Sequence, residues 1–242
     1  MKKLLVAGVA AAALLSAPAF AADYPMKAAP APAAFNWSGF YIGVNGGGMD
    51  FKFTGPFVVP VAPGNSFDSG RKEVGIAGLH GGFQGQWGNF VLGVEGAWEG
   101  VLGDQFGSTN GIGSAPPSSC NAAVVFACQN RITDILSVGP RVGFAMNQWM
   151  IYGTGGYARA GTESRALTLA SGVVVSDVSE HNDGWYWGGG LEWLVLNGFT
   201  VGVDYKHYDF KTVRYNDMAA PGNSRDLKAQ ADALLLRLTI KQ

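Results

Sequence analysis

Cysteine, histidine and charge are all scarce in this chain, and each scarcity removes a class of explanation. Of 242 residues, 2 are cysteine and 3 histidine, and His80, His181 and His207 fall in separate segments without the H-x-x-x-H spacing of a metal site. Charged residues make up 14% of the chain and form no basic run, which argues against nucleic acid as a partner. Once Lys2 and Lys3 are set aside, 15 basic residues face 18 acidic ones, a formal charge of −3. Beyond the first segment no apolar run approaches the ~20 residues of a membrane-spanning helix.

That first segment is an export address. Met1-Lys2-Lys3 is a positive n-region, Leu4 to Leu15 an apolar h-region and Ala19-Phe20-Ala21 a small-x-small cleavage site, so residues 1–21 read as a cleaved secretory signal peptide. Residues 22–36 are rich in Ala and Pro and lack periodicity, and read as a flexible periplasmic leader. Residues 37–242 form the domain proper. An exported chain without a second apolar helix is periplasmic, secreted or an outer-membrane barrel, whose strands hide their polar face in the lumen. The 36 glycines, 14 Phe, 8 Tyr and 7 Trp suit twisted, closely packed strands with aromatic girdles and suit helices badly.

The pattern from Trp37 onward is period two. Alternating segments fall near 38–51, 72–87, 90–100, 130–145, 149–160, 184–194, 199–210 and 229–241. The connections after the second, fourth and sixth are tight; the others, over 52–71, 101–129, 161–183 and 211–228, are long. Short turns alternating with long loops are the asymmetry of a chain threaded from the periplasm. The fold class predicted is all-β: an eight-stranded antiparallel up-and-down transmembrane β-barrel with short periplasmic turns and four long extracellular loops.

Alternation also assigns faces. Phe90, Leu92, Val94 and Trp98 go to lipid and Glu95 inward. Leu136, Val138, Val142 and Phe144 go out, with Ser137, Gly139, Arg141 and Gly143 in. Phe199, Val201, Val203 and Tyr205 go out, with Thr200, Gly202, Asp204 and Lys206 in. Leu234, Leu236, Leu238 and Ile240 go out, with Arg237, Thr239 and Lys241 in. Arg or Lys facing lipid at mid-bilayer costs ~2–4 kcal/mol, so the charges belong inside. Glu95, Arg141, Asp204 and Arg237 rise to one level, with the adjacent-strand pairs Glu95–Arg141 and Asp204–Arg237, Glu192 slightly lower, and Lys206 and His80 higher. This layer is either a salt-bridge plug in a lumen just wide enough for side chains or the selectivity constriction of a narrow pore. Inner-face glycines such as Gly43, Gly93, Gly143 and Gly202 reduce filling and so keep the second open beside the first.

These residues resemble a known family. Trp37-Ser38-Gly39-Phe40-Tyr41-Ile42-Gly43, Gly82-Phe83-Gln84-Gly85-Gln86-Trp87, Phe90-Val91-Leu92-Gly93-Val94-Glu95-Gly96, Val138-Gly139-Pro140-Arg141-Val142-Gly143-Phe144, Gly190-Leu191-Glu192-Trp193 and Leu236-Arg237-Leu238-Thr239-Ile240-Lys241 are similar, in order and spacing, to the small alphaproteobacterial outer-membrane barrels called opacity-like or "porin family". The resemblance implies an OmpA-like eight-stranded barrel and an envelope component, surface antigen, host-interaction protein or, in some lineages, haem binder. Two positions depart from it. The chain ends Ile240-Lys241-Gln242 where such proteins end in an aromatic read by barrel-assembly machinery, and Pro140 removes a ladder hydrogen bond and predicts a bulge in the fourth strand.

The remaining motifs give little chemistry. Gly153-Thr154-Gly155-Gly156-Tyr157-Ala158 fits G-x-G-x-x-A, but no helix follows to hold a dinucleotide. No histidine has a serine on its own strand face, so no enzyme is expected, and no cofactor. Cys120 and Cys128 lie in one loop of an exported chain, where a local disulfide adds about 2.5 kcal/mol of order; a metal pair or reactive thiol is the sharper alternative. Apolar residues of loop one (Phe53, Phe57, Val58, Val59, Phe67) and loop two (Ile112, Val124, Val125, Phe126) either meet a partner or fold over the barrel mouth.

Three functions stay open. The first is a monomeric structural and surface-interaction barrel in contact with outer-membrane lipids, lipopolysaccharide and an extracellular or host surface partner. The second is a narrow channel for ions or small solutes. The third is a haem receptor using His181 or His207 beside Tyr208. Haem bound there shifts its absorbance on binding and binds more weakly when either histidine is replaced; unchanged binding by both variants refutes the assignment.

Overall fold

The computed structural model describes residues 35–58, 66–68, 71–103, 107–108, 126–168, 171–196, 198–216 and 224–242. Eight long strands form the wall: β1 (Gly39–Val58), β2 (Lys72–Trp87), β3 (Phe90–Leu102), β4 (Phe126–Met146), β5 (Trp149–Thr168), β6 (Val174–Leu196), β7 (Phe199–Phe210) and β8 (Ser224–Lys241). Each pairs antiparallel with its successor, and β1 pairs with β8 to close the barrel. Short strands at Ser66–Asp68, Gly107–Ser108 and Val213–Asn216 add to β1, β4 and β8 above the wall.

The three tight connections each hold one residue in the left-handed region, Gly88, Asn147 and Gly198. Two-residue hairpin turns require such a conformation, and Gly and Asn adopt it at least cost. Above them the wall alternates as the sequence pattern dictates. Leu92, Val94, Leu136, Val142, Leu234, Leu236 and Ile240 point outward and exposed, while Glu95, Arg141, Asp204, Arg237 and Thr239 are buried inside. Near the turns, aromatic pairs in cross-strand register form the lower girdle: Phe40 with Phe83, Phe90 with Phe144, and Trp149 stacked on Trp193 at 5.2 Å. On β1 the outward row changes from apolar and small residues to Asp50, and on β8 from Leu234 to Asp232. A band of that height matches the 9–11 residues with which a tilted strand crosses a bilayer.

The strands overshoot that band. β1 runs to Val58, β5 to Thr168, β6 starts at Val174 and β8 at Ser224, so much of what the pattern assigns to loops is paired strand. Lys52, expected in loop one, lies on β1 opposite Gln230. Above the bilayer the outward face turns polar while Phe51, Phe53 and Phe210 stay buried inside, so the outward apolar row that marks a membrane strand ends there. Cross-strand ion pairs in register stand in for it: Arg131–Glu163 at 2.7 Å, Arg165–Asp177 at 2.9 Å and Arg214–Asp226 at 2.8 Å. The bulge in β4 is at Ile132–Asp134 and not at Pro140, which keeps register opposite Val94. Gly139 and Gly156 let β4 and β5 approach so closely there that a Cβ on either would strike the facing backbone, and the missing amide is absorbed without a slip.

The interior is filled in three tiers. At the periplasmic end Trp37, Val91, Ala145, Met150 and Tyr152 cluster, with Phe35 packed against them. The ionic tier lies above. The outer half is apolar: Met49, Phe51, Phe53, Ile76, Ile132, Ile135, Tyr208, Phe210 and Leu235 belong to one buried cluster. Phe53, counted with the apolar residues of loop one, is thus a lumen side chain. Phe57, Val58 and Phe67 have backbone but no side-chain description, as does Phe126. Val59, Ile112, Val124 and Val125 lie outside the described residues, as do residues 1–34.

This division of faces predicts that Leu236→Arg weakens folding into phospholipid vesicles by ~2–4 kcal/mol. Thr54→Arg, outward but above the apolar band, should change it by less than ~1 kcal/mol. Equal losses in a urea titration would overturn the assignment of the band.

Candidate functional site

The charged tier is assembled from inward positions of β3, β4, β6, β7 and β8. Arg141 donates to Glu95 at 3.2 Å and to Glu192 at 2.5 Å. Arg237 contacts Glu95 through both terminal nitrogens, at 3.0 and 2.7 Å, and Asp204 at 2.6 Å. Tyr41 donates its hydroxyl to Glu95 at 3.0 Å, and Tyr152 donates to Asp204. The Arg141 guanidinium lies 3.6 Å from the centre of the Tyr152 ring, a cation–π stack, with the Tyr41 ring centre 5.3 Å away. One level up, Lys206 and Asn45 both donate to Glu99, at 2.7 and 3.0 Å. One level down, Lys241 lies 3.1 Å from Glu192 and over the Trp37 ring at 4.9 Å.

Among the described residues, the buried acids Glu95, Glu99, Glu192 and Asp204 match the buried bases Arg141, Lys206, Arg237 and Lys241 in number. Arg141 and Arg237 are 1% exposed and Glu192 0%, so no water-sized space adjoins them. In such surroundings an unpaired charge costs several kcal/mol, and the balance is obligatory.

Glycine makes the room. Every member except Lys241 has a glycine directly opposite on a neighbouring strand: Glu95 faces Gly82 and Gly139, Glu99 faces Gly78, Arg141 faces Gly93, Glu192 and Arg237 face Gly202, Asp204 faces Gly190 and Lys206 faces Gly188. A Cβ on Gly190 would strike both Asp204 and Tyr152, and one on Gly43 would strike His80. The expectation that these glycines leave the lumen underfilled is therefore corrected: their missing side chains are the space that long charged ones occupy.

The two adjacent-strand pairs are present but do not stand apart. Arg237 of β8 reaches Glu95 on β3, and Arg141 of β4 reaches Glu192 on β6, so the pairs fuse into one network across the lumen. Strand-neighbour reasoning has no access to such contacts. Glu99, Tyr41 and Tyr152 also belong to it, and Glu99 was legible as the same-face residue four beyond Glu95. His80 bonds Thr239 Oγ1 at 2.9 Å.

The histidines proposed for haem do not converge. His207 faces outward, its Nδ1 2.7 Å from Asp232 and its ring beside Trp185 and Trp187. Tyr208, the next residue, is buried in the lumen; the two point to opposite sides of the wall and cannot share a ligand. His181 is exposed on β6, six residues beyond Trp187, the partner of His207, and so about 20 Å higher. Cys120 lies outside the described residues, and only the backbone of Cys128 is described, in β4.

The network predicts that Arg141→Ala, which strips Glu95 and Glu192 of a shared cation, costs about 3–5 kcal/mol. Lys52→Ala, on the outward face of β1, should cost less than ~0.5 kcal/mol. Melting in detergent, followed by heat-modifiable gel mobility, separates the two; equal midpoints would refute the role of the layer.

Comparison with known proteins agrees with this architecture. A family model described as "Outer membrane protein beta-barrel domain" matches residues 7–232. The chain is 30% identical over 224 residues to the 31 kDa outer-membrane immunogenic protein of Brucella melitensis, covering 86% of this chain and 87% of that one. It is 29% identical over 189 residues to a 22 kDa outer membrane protein of Rhizobium leguminosarum, covering 78% and 71%. Among solved structures, the outer membrane protein OprG of Pseudomonas aeruginosa aligns over 85% of this chain and 97% of its own, at a TM-score of 0.49 and 11% identity.

Proposed function

The chain belongs to the outer membrane protein β-barrel domain family, and from that premise we propose that it is a non-catalytic scaffold with a closed lumen, which contributes to envelope integrity and presents its extracellular segments to a surface partner. The observation that carries this reading is the filled interior, an ionic tier held between two apolar ones. A diffusion pore needs its charges beside water, whereas Glu95, Arg141, Asp204 and Arg237 are at most 2% exposed. A gate in the outer half would have to part Phe51, Ile76, Tyr208 and their neighbours.

The outer surface supports the rest. The apolar band and aromatic girdles are contacts for outer-membrane lipid, with lipopolysaccharide above them. Complete closure leaves no strand edge within the bilayer, in keeping with a monomer. The strand extensions above the band carry mostly charged and polar side chains on their outward face, and a relative named as immunogenic is in keeping with segments reachable from outside the cell. Lys241 turns its side chain into the lumen at the non-aromatic chain end, while Ile240, Leu238, Leu236 and Leu234 keep the outward apolar row that assembly machinery would meet.

The test is single-channel recording of protein refolded into a planar bilayer after its gel mobility shows a folded barrel. Silence is expected. Reproducible steps altered by Glu95→Gln or Arg141→Gln would overturn the closed-lumen reading.

A further inference from the structure

Above the bilayer the wall is no longer continuous. β6 pairs with β5 along nearly its whole length, from Val174↔Leu167 to Trp193↔Trp149, but its pairing with β7 begins only at Gly184↔Phe210. After one further bond, from Lys211 N to Asp183 O at 2.8 Å, the chain leaves β6 and Val213–Asn216 pairs with β8 instead. Residues 174–182 are thus bonded on one side, and no described strand covers the other.

The phase of this edge can be read. Asp183 turns its carbonyl toward β7, while Glu180 turns its own toward β5, where Thr162 Oγ1 donates to it at 3.2 Å. In an antiparallel ladder bonded groups alternate sides, so Asp177, Ser179 and His181 point both N–H and C=O away from β5. An edge of this length with no partner strand among the described residues is a template for one more strand.

We propose that this edge of β6 takes up an extended, basic peptide segment of a partner protein as an added strand. Geometry argues against a neighbouring copy. All copies in one membrane run β6 in the same sense, so two such edges meet only as a parallel pair, the less stable ladder. Antiparallel pairing of identical edges requires a two-fold axis perpendicular to the strands, which would invert one barrel. A segment from another protein has no such restriction. Charge sets its chemistry: the outward-facing Asp177 carboxylate, though paired with Arg165, keeps 44% of its side chain exposed, and Glu180 is exposed on the other face of the same stretch. Lysine or arginine at alternate positions of the incoming strand puts its positive charges on one face, beside Asp177. Affinity comes from main-chain hydrogen bonds and selection from charge, so the partner is defined by extension and basicity and not by one fixed sequence. This deepens the display reading above, on which it rests, by naming the displayed element.

The experiment is amide hydrogen exchange on the refolded full-length barrel, with and without a short synthetic peptide of alternating lysine and threonine. Strand addition slows exchange about tenfold or more at the Asp177, Ser179 and His181 amides and leaves Val178 and Glu180, already bonded to β5, unchanged. Ser179→Pro, which removes one edge N–H, abolishes the slowing, whereas Ser179→Ala retains it. A peptide N-methylated on its edge-facing amides fails to protect, and this control stands even if the proline variant does not fold. Unslowed edge amides, or slowing that survives N-methylation, overturn the proposal. So does clustering of barrel-bearing vesicles without peptide through this edge, since a copy in the opposing bilayer would then be the occupant. A conducting barrel would refute the closed lumen and leave the edge untouched, so the two readings fail separately.

Discussion

Charge neutrality without water is the constraint on which the rest of this barrel depends. Among the described residues four acids and four bases occupy a lumen where Arg141 and Arg237 have almost no exposed surface, and each must find its counterion within the wall. That demand fixes strand register. A slip of one residue would turn Arg141 or Arg237 into lipid, and a slip of two would take Glu95 or Asp204 away from the glycines that make space for them. Glycine content, strand phase and the ionic network are thus one solution: small residues on one strand are the sockets for long charged residues on the next. Apolar tiers above and below keep the network dry, which strengthens each pair and raises the cost of breaking one.

The outer wall obeys a different solvent. Through the bilayer its residues are apolar, glycine or aromatic, and the change to Asp50 and Asp232 marks where lipid ends. Above that level the outward face is polar, and the strands persist over the buried outer tier with cross-strand ion pairs such as Arg165–Asp177. Exposed pairs of this kind contribute little each, so the extensions depend on ladder hydrogen bonds and on the buried outer tier beneath them. The wall opens there between β6 and β7, where an open edge no longer faces lipid.

Legibility followed the same division. Where one face met lipid and the other a polar interior, alternation alone placed Leu236 outside and Arg237 inside, and the turns at Gly88, Asn147 and Gly198 fell where tight connections were expected. Where the outward face met water, the apolar outward row ended, and Lys52, Phe53 and the first half of β6 were assigned to loops, although Phe53 is buried in the lumen. Pro140 misled in another way: a lost amide signalled a bulge, but facing glycines absorbed it and the irregularity arose at Ile132–Asp134.

By itself the sequence determined the compartment, the eight-stranded plan, the orientation of each strand face and the adjacent-strand pairs Glu95–Arg141 and Asp204–Arg237. All of these follow from local periodicity against two solvents. Tertiary structure alone decided that Arg237 of β8 reaches Glu95 of β3, that Tyr152 stacks under Arg141, that the inner glycines seat charges, that His207 and Tyr208 lie on opposite sides of the wall, and that β6 keeps a free edge. Those depend on how a closed barrel folds distant strands across a lumen a few side chains wide, and no residue's sequence neighbours encode that distance.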